Sequence, residues 1–486
     1  MKLAKVLIAA FMLQTLWVSG QKNVPGVSYK DTTRIIILST NDMHARIDNF
    51  SKLAYLADSL RHQFRDVFLV SAGDNFTGNP VVDQYPEKGF PMIDLMNRLG
   101  YNVSAVGNHE FDLGQENLNN RFAQATFPFI SCNINAEGAI VKQPKPYIIL
   151  KTAEGLRITF LGIIQLGENG LPDSHPDKMK GIHFEEGIAK ALTYNKLRKK
   201  SDVFIALTHL GIEKDPVLAE QMSALDLIIG GHSHTVMEKP MMVNNVMITQ
   251  AGSGLKYAGK ITLFVVDKKL VKRSFELISL ANIQGKDKTI QGIIDKYNSN
   301  PALNEVIATA EQAIAGEDAL GSLMTDAITD RLGVDFAFQN NGGIRISELN
   351  TGDILLKDVY KLDPFGNMVI KFNMSAAEIK SLISSAYNRE KTLDLQVSGM
   401  SYTLYVDSLK VLRDVVMTDR FGKALDPAKD YSVGINSYMA SSYRFDHRDA
   451  GESLYITTAQ ALIDFLKVKK SVNYPGIKRA LVTVVK

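Results

Sequence analysis

The stretch VGNHEFDLG, residues 106–114, places an Asn, a His, a Glu and an Asp directly after a short apolar run. Four other apolar runs also end in polar clusters, which read NDMH, GDN, THLG and GGHSH. Five of the nine histidines of the chain lie in these five clusters, and packing alone does not explain that concentration. The candidate metal ligands are Asp42, His44, Asp74, Asn108, His209, His232 and His234.

This donor set combines imidazole, carboxylate and amide oxygen and contains no thiolate. It favours Zn, Mn, Fe or Co and argues against a Cys-rich structural zinc site. Two such ions, roughly 3.5–4 Å apart and bridged by a carboxylate, would generate a hydroxide and polarise a phosphoryl oxygen. The sequence therefore predicts two divalent metal ions as the cofactor.

His109 and Asp112 have a different predicted role from the metal donors. If a helix begins here, residues three apart share a face, so Asp112 can orient the His109 ring and raise its basicity. His109 is then a candidate to stabilise the transition state or to protonate a leaving oxygen. For Asp112 alone, a carboxylate at a helix start is an equally good interpretation, and Glu110 is interpreted as solvated or structural.

The elements that position these clusters are apolar runs between residues 34 and 267. They include RIIILST, VFLVSAG, RITFLGII, VFIALTH and KITLFVV, which are continuous and therefore typical of strands buried on both faces. Helical patterns such as FSKLAYLADSLRHQF and FEEGIAKALTYNKLRKK lie between the runs. The pattern predicts an α/β layered domain, in which the carboxyl ends of the strands meet in one crevice.

The domain prediction divides the chain into four parts. We predict a signal peptide in residues 1–20, the domain that carries the donor clusters in 31–280, a linker helix or hinge in 281–310, and a second α/β or α+β domain in 311–486. In that second domain DALGSLMTDAITDRLG predicts a helix, DFAFQNNGGIR a strand followed by a Gly turn, and YSVGINSYMA a strand.

The first twenty residues have the pattern of a secretory signal, with Lys2 and Lys5 before a short apolar run and the small residues VSG after it. An uncleaved anchor is the weaker alternative, because the apolar run is short for a membrane span. We expect an exported protein, periplasmic or extracellular, with no stable membrane span after cleavage. The single cysteine, Cys132, excludes an internal disulfide and is interpreted as a small buried side chain.

The five N-terminal motifs, NDMH, GDN, GNHEFD, THLG and GGHSH, resemble those of the calcineurin-like metallophosphatases, in the version carried by the 5'-nucleotidase family. NNGGIR and DPFGN resemble the nucleotide-binding domain of that family. The resemblance covers essentially the whole mature chain. It implies a layered αββα metallophosphatase domain, a second α/β (α+β) nucleotide-binding domain, and rotation of the second domain about the linker.

The resemblance also implies residue roles. It assigns the metal donors to two sites that share a bridging Asp74: Asp42, His44, Asp74 and His234 form one, and Asp74, Asn108, His209 and His232 the other. His109 and Asp112 would be the catalytic dyad. The residues implied to contact the nucleotide are Asn340, Gly343 and Arg345, with Phe365 and Tyr438 as an aromatic clamp for the base.

The sequence departs from the family pattern at three places. Ala45 stands where the family usually has Gly, and the segment EQAIAGEDALGS contains no Arg where family members often have one. The family's GGDGF is replaced by SSYRFDHRDAG, in which Arg444, Asp446 and Arg448 are candidate replacements. The last two departures fall in the nucleotide site and leave the metal site intact.

The predicted function is removal of phosphate from nucleotides by two-metal hydroxide attack, assisted by the His109–Asp112 dyad. One alternative is a 2',3'-cyclic nucleotide phosphodiesterase/3'-nucleotidase or a nucleotide-sugar hydrolase. Another is a non-catalytic nucleotide-binding protein of the cell envelope, which would need a broken metal site. A nucleic acid polymer is not an expected partner, because the net charge is only +3 and no basic run tracks a phosphate backbone. Nothing in the sequence indicates an oligomeric state.

Overall fold

The computed structural model describes residues 32–167, 169–476 and 478–485. The predicted signal peptide, residues 1–20, lies outside the described residues, so its prediction stays a prediction. Among the helices that are described, none has the length and apolar character needed to cross a membrane.

In the first region, the described residues form fourteen strands and seven α-helices. The strands are β1 (Thr33–Thr40), β2 (Asp66–Ser71), β3 (Val103–Ala105), β4 (Phe129–Ile130), β5 (Ile134–Asn135), β6 (Tyr147–Lys151), β7 (Arg157–Ile164), β8 (His183–Phe184), β9 (Val203–His209), β10 (Leu227–Ile229), β11 (Met241–Val243), β12 (Val246–Thr249), β13 (Tyr257–Val266) and β14 (Lys269–Ser279). The helices are α1 (Phe50–Gln63), α2 (Pro80–Asp83), α3 (Phe90–Leu99), α4 (Gln115–Gln124), α5 (Gly187–Leu192), α6 (Asp215–Gln221) and α7 (Lys288–Asn298).

Two six-stranded sheets form the centre of this region, in the orders β14-β13-β1-β2-β3-β4 and β11-β12-β10-β9-β7-β6. Strands β1 to β4 are parallel, as are β7, β9, β10 and β12. Ile35 and Ile37 of β1 pack in the core between the sheets, whereas Ile36 and Leu38 face the helices outside. The continuous apolar runs therefore arise because each central strand is buried on both faces.

Helices cover the outer face of each sheet and complete four layers. The core outside the first sheet contains Phe50 and Leu53 of α1 and Met92 of α3, and the core outside the second contains Leu218 of α6. The predicted αββα fold class is confirmed. The prediction of one continuous helix over 184–200 is wrong, because this segment divides into α5 and a 3₁₀ helix, Asn195–Lys200.

The described part of the second region forms thirteen strands and five α-helices. The strands are β15 (Val306–Ala310), β16 (Ile314–Ala315), β17 (Phe336–Asn340), β18 (Glu348–Leu349), β19 (Gly352–Leu355), β20 (Met368–Ser375), β21 (Leu395–Ser398), β22 (Met400–Val406), β23 (Leu412–Asp419), β24 (Asp430–Asn436), β25 (Glu452–Thr457), β26 (Ser471–Val472) and β27 (Ala480–Val484). The helices are α8 (Gly316–Leu332), α9 (Leu356–Leu362), α10 (Ala376–Glu390), α11 (Ser437–Ser442) and α12 (Thr458–Lys469).

A mixed five-stranded sheet, in the order β21-β17-β24-β20-β25, is the centre of the second region. The stretch YSVGINSYMA, predicted as one strand, ends its strand at Asn436. Helix α11 begins at the next residue, because the Asn436 side chain accepts a hydrogen bond from the Met439 backbone N–H at 2.8 Å. This helix start places Tyr438 at the end of the sheet nearest the first region.

The segment predicted as a linker, 281–310, is divided between the two regions. Helix α7 packs against the first region, where Ile290 and Ile294 join the core beside α1. Strand β15 pairs with β19 and β26 of the second region. The covalent connection between the two packed bodies therefore lies in residues 299–305.

Candidate functional site

The predicted metal donors all lie at or just after the carboxyl ends of parallel strands, at one edge of the two sheets. Five of these donor residues have positive φ angles, between 47° and 76°: Asp42, His44, Asp74, His232 and His234. A left-handed backbone costs a non-glycine residue of order 1–3 kcal/mol and persists where the surroundings enforce it, often at functional sites. Here the loops hold one another, since the backbone N–H of Asp42 donates to the Gly73 carbonyl oxygen at 3.0 Å.

Asp42, His44 and His234 form the first group of converging donor atoms. One ligand atom from each lies within 4.8 Å of the others. The His44 Nδ1 atom is 3.2 Å from the Thr77 carbonyl oxygen, which places the proton on Nδ1 and leaves the Nε2 lone pair for a ligand. That Nε2 atom is 2.9 Å from Nε2 of His234.

The second group consists of Asp74, His209 and His232, which also offer one ligand atom each within 4.8 Å of the others. The His209 Nδ1 atom is 2.8 Å from the Ala72 carbonyl oxygen, and its Nε2 atom faces Asp74 Oδ2 at 3.0 Å. Asn108 completes this group, because its Oδ1 atom lies 3.2 Å from His209 Nε2 and 3.1 Å from His232 Nδ1.

The orientation of the Asn108 amide is set from outside the group. Its Nδ2 atom donates to the backbone carbonyl oxygen of Asp173 at 3.0 Å, which directs Oδ1 toward the two imidazoles. Asp173 lies in the loop after β7. Its role could not be predicted from the sequence, because any residue type can supply a backbone carbonyl oxygen.

The residues present fit a pair of divalent cations. Asp74 lies in the second donor group and in a further group with His44 and His109, and so stands between the two sets. Burial raises the pKa of Asp42 to about 7, and positive charge beside this carboxylate favours its ionised form. Nitrogen and oxygen donors of this kind suit Zn, Mn, Fe or Co.

The His109 imidazole is held by a carboxylate on one side and faces the donor groups on the other. Its Nδ1 atom is 2.6 Å from Asp112 Oδ2, and Asp112 Oδ1 accepts a hydrogen bond from the Ser174 hydroxyl at 2.7 Å. The His109 Nε2 atom is 3.9 Å from Asp74 Oδ2. Burial works to lower the pKa of His109, but the Asp112 and Asp74 carboxylates outweigh it and raise the pKa.

Glu110 is buried and structural, which agrees with the second of its two interpretations and excludes a solvated side chain. Its carboxylate accepts hydrogen bonds from the backbone N–H groups of Gly107, Asp74 and Asn75, at 2.7, 3.0 and 2.8 Å. One side chain thus ties the loop after β3 to the loop after β2. The sequence carries no signal for this role, because the three donors are main-chain groups.

Gly107 explains why the two loops can approach so closely. A Cβ atom built there would lie 2.2 Å from Asp74 Oδ1 and 2.6 Å from the Asp74 backbone nitrogen. Both distances are impossible for a real side chain. The glycine is therefore required by the close approach of a metal donor rather than by its own backbone angles.

Two second-region side chains reach the donor groups. The Phe365 ring stacks on the His109 ring, with centroids 5.6 Å apart and planes 19° apart. The Arg345 guanidinium lies 5.5 Å from the centre of the Phe365 ring, and its Nη2 atom is 3.4 Å from His44 Nε2. Arg345 is thus placed to meet an anion at the metal donors.

A cavity of about 730 Å³ connects the donor groups to the second region. Asn340, Gly343 and Tyr438, all predicted to contact substrate, line it together with Arg345 and Phe365. Asn340 is fixed by its neighbour, since its Oδ1 atom accepts from Asn436 Nδ2 at 2.8 Å. The structure thus brings every predicted site residue to this cavity or to the donor groups at its floor.

The candidate replacements for the missing family residues lie elsewhere. Arg448 pairs with Glu378 at 3.1 Å and with Asp430 at 2.7 Å, and Asp446 is bonded to Ser381. Among the described residues, neither these two nor Arg444 lines the cavity. The cavity wall instead contains Arg389, Asp394 and Tyr443, which sequence reasoning did not select.

Two family models match the chain, in the order in which the two regions occur. The model described as calcineurin-like phosphoesterase matches residues 35–236, and that described as 5'-nucleotidase, C-terminal domain, matches residues 302–444. The first match contains all the N-terminal donors, and the second contains Arg345, Phe365 and Tyr438.

The chain therefore combines a calcineurin-like phosphoesterase domain with a 5'-nucleotidase C-terminal domain.

Proteins that are similar to this chain match most of its length. A 5'-nucleotidase of Vibrio cholerae is 27% identical over 91% of this chain and 92% of its own length. The endonuclease YhcR of Bacillus subtilis is also 27% identical, over 84% of this chain, but the chain spans only 37% of the length of that relative. A crystal structure of a 5'-nucleotidase precursor from Thermus thermophilus covers 92% of this chain and 99% of its own, with a TM-score of 0.79 at 24% identity. That likeness shows that the two proteins share a fold.

Proposed function

We propose that this protein is an exported, metal-dependent phosphohydrolase that removes phosphate from nucleotides. The observation that carries the proposal is the arrangement of the cavity floor. Two donor groups meet at Asp74, His109 stands beside them, and Arg345 faces them from the second region. The domain bounds and the secretory signal predicted from the sequence are part of the proposal.

The first donor group would hold one divalent cation and the second group, with Asn108, another. When bound, such cations neutralise charge on the phosphoryl oxygens and activate water as a nucleophile. Arg345 binds the phosphate and adds positive charge on the side opposite the donors. Phe365 and Tyr438 supply apolar walls on which a nucleobase can lie.

His109 acts on the leaving group in this proposal. The Asp112 and Asp74 carboxylates outweigh the lowering effect of burial and raise the pKa of His109, which favours its imidazolium form. Asp112 keeps one proton on Nδ1, and Nε2 is the atom that faces the donor groups. Protonated His109 donates from Nε2 to the leaving oxygen as its bond to phosphorus breaks.

The experiment is phosphate release by the purified mature protein supplied with Mn or Zn. The substrates are AMP, UMP, a nucleotide sugar and a cyclic nucleotide, the last assayed with a coupled monoesterase. Rapid hydrolysis of the 5'-monophosphates supports the proposal. Turnover of only the cyclic nucleotide or the nucleotide sugar would indicate a diesterase instead of the proposed monoesterase. Nucleotide binding without any turnover would indicate a non-catalytic binding protein.

A further inference from the structure

A loop of the first region, residues 169–180, lies against the segments that carry the site. The backbone carbonyl oxygen of Asp173 accepts the hydrogen bond from Asn108 Nδ2 at 3.0 Å. The backbone carbonyl oxygen of Lys180 accepts another from Gln115 Nε2 at 2.8 Å. This 169–180 loop is therefore fixed at two points to residues that lie earlier in the chain.

Ser174 of the 169–180 loop directs its hydroxyl group at Asp112. Only 4% of Ser174 is exposed, and its hydroxyl donates to Asp112 Oδ1 at 2.7 Å. The other oxygen of the same carboxylate, Oδ2, is 2.6 Å from His109 Nδ1. A hydroxyl engages one oxygen of Asp112 and an imidazole engages the other, so the carboxylate cannot rotate without breaking one of these hydrogen bonds.

The orientation of the His109 ring depends on this carboxylate. The Phe365 ring stacks on the His109 ring, and the His44 ring meets it edge-on with centroids 5.0 Å apart. A half-turn of the imidazole about its Cβ–Cγ bond would preserve both of these ring contacts but would put a carbon atom where Nε2 stands. The hydrogen bond to Asp112 is therefore the contact that keeps Nε2 facing the donor groups.

We infer that Ser174 is a positioning residue for proton transfer by His109. Its hydroxyl holds the Asp112 carboxylate in the orientation that directs His109 Nε2 toward the leaving oxygen, and it does not itself contact the reacting atoms. The inference rests on the proposed function and adds a residue to its proton-transfer step. Because Ser174 follows Asp112 by 62 residues, spacing in the sequence gives no indication of this contact.

The 169–180 loop aligns two different groups of the site through two adjacent residues. Asp173 orients the Asn108 amide through a main-chain carbonyl oxygen, whereas Ser174 orients Asp112 through its side chain. A substitution that removes only the Ser174 hydroxyl leaves the main-chain contact in place. It should therefore disturb proton transfer and spare the metal donors, which makes the two effects separable by experiment.

The test is the dependence of turnover on the leaving group in Ser174→Ala. The substrates are AMP, whose ribose oxygen needs a proton in order to leave, and p-nitrophenyl phosphate, whose phenolate leaves without one. We expect kcat for AMP to fall by about tenfold, the effect of one hydrogen bond to a charged group. We expect kcat for p-nitrophenyl phosphate to fall by less than about twofold, and metal content to stay unchanged.

The matched control is Ser51→Ala. Ser51 of α1 is also buried, and its hydroxyl donates to Gln291 Oε1 of α7 at 2.8 Å. Its removal should change kcat for neither substrate. Ser174→Thr keeps the hydroxyl and should recover most of the AMP turnover. If Ser174→Ala fails to fold, Ser174→Cys takes its place, because a thiol of similar size donates only weakly.

A spectroscopic signal reports the same contact without turnover. In protein labelled with ¹⁵N-histidine, the proton between His109 Nδ1 and Asp112 gives a low-field resonance, which is assigned by its loss in His109→Ala. We expect Ser174→Ala to shift or broaden this resonance and Ser51→Ala to leave it unchanged. The measurement needs no substrate and therefore tests the positioning of the ring directly.

The outcomes separate this inference from the proposed function. If Ser174→Ala loses turnover of AMP and p-nitrophenyl phosphate by the same factor while His109→Ala loses mainly AMP turnover, the inference is overturned and the proposed function stands. A raised KM for AMP at unchanged kcat, or an unchanged His109 resonance, overturns it as well. If the unmodified protein does not hydrolyse AMP, the proposed function has failed, and the resonance alone decides whether Ser174 orients the ring.

Discussion

His109 is held by two carboxylates that act on different parts of the residue. Asp112 orients the ring through Nδ1, and Asp74 accepts the His109 backbone N–H at 2.9 Å. The residue that precedes it, Asn108, points its oxygen into the second donor group. In the proposed function, Asn108 would serve metal binding and His109 proton transfer, so substitutions should separate these two functions.

His109→Ala should lower kcat by about 10²–10⁴-fold, the usual contribution of a general acid, while metal content stays unchanged. Asp74→Ala should lose both activity and metal, because Asp74 lies between the two donor groups. The measurements are steady-state kinetics and metal analysis by mass spectrometry on the same preparations. Retention of two metals and full turnover by Asp74→Ala would contradict this account of the site.

Arg345→Met should lower kcat/KM for a nucleoside monophosphate by about tenfold or more and leave the metal content intact, because Arg345 reaches the donor groups without belonging to either. Arg345→Lys should recover only part of the loss, since an ammonium cannot form two parallel hydrogen bonds to phosphate. The exposed Arg331 of α8 offers a matched control through Arg331→Met. Normal kinetics for Arg345→Met would contradict a role of Arg345 in phosphate binding.

At the scale of elements, the site depends on how closely the loops after β2 and β3 approach. Glu110 ties the two loops through main-chain hydrogen bonds, and Gly107 leaves the space in which Asp74 sits. These contacts link residues that are far apart in the chain. The packing of one loop on another therefore decides whether the donor groups form.

Gly107→Ala should displace Asp74 and abolish metal binding and turnover, because the added methyl group would overlap its carboxylate. Gly292→Ala is the control, since Gly292 lies exposed in α7 with nothing within 4 Å of the added Cβ. That control should raise the free energy of unfolding by roughly 0.5–1 kcal/mol through helix propensity. Urea denaturation and metal analysis check both variants, and a Gly107→Ala protein with normal metal content would refute the steric argument.

Helix α10 has a pH-dependent anchor at its first turn. Glu378 forms a capping box with Ser375 and pairs with Arg448. The hydrogen bonds from Arg448 are the main cause that lowers the pKa of Glu378 from 4.5 to about 2. A lowered carboxyl pKa contributes stability that is present above pH 4.5 and is lost as the pH falls toward 2.

Arg448→Met should therefore lose less stability than the unmodified protein as the pH falls from 4.5 toward 2. The measurement is the urea midpoint of unfolding across that range. Lys467→Met, which breaks a pair between the exposed side chains of Lys467 and Glu305, controls for loss of surface charge. Parallel pH curves for Arg448→Met and the unmodified protein would show that Glu378 is not the anchor.

At the scale of the whole molecule, the cavity exists because two separately packed regions face each other. The first region supplies the donor groups, and the second supplies Arg345, Phe365 and the wall of Arg389 and Asp394. Helix α7 packs on the first region and β15 on the second, so the few residues 299–305 connect them. This arrangement is compatible with the rotation that the family resemblance implies, because movement about so short a connection would open the cavity.

The sequence by itself determined the fold class, the family and the set of candidate donors. It could do so because strands buried on both faces leave continuous apolar runs, and because parallel strands bring their carboxyl ends to one edge. Only the tertiary structure decided which donors share a group, that Glu110 ties two loops, and that Arg389 and Asp394 line the cavity. Those facts rest on main-chain acceptors and on contacts between residues distant in the chain, and residue type and spacing do not encode either.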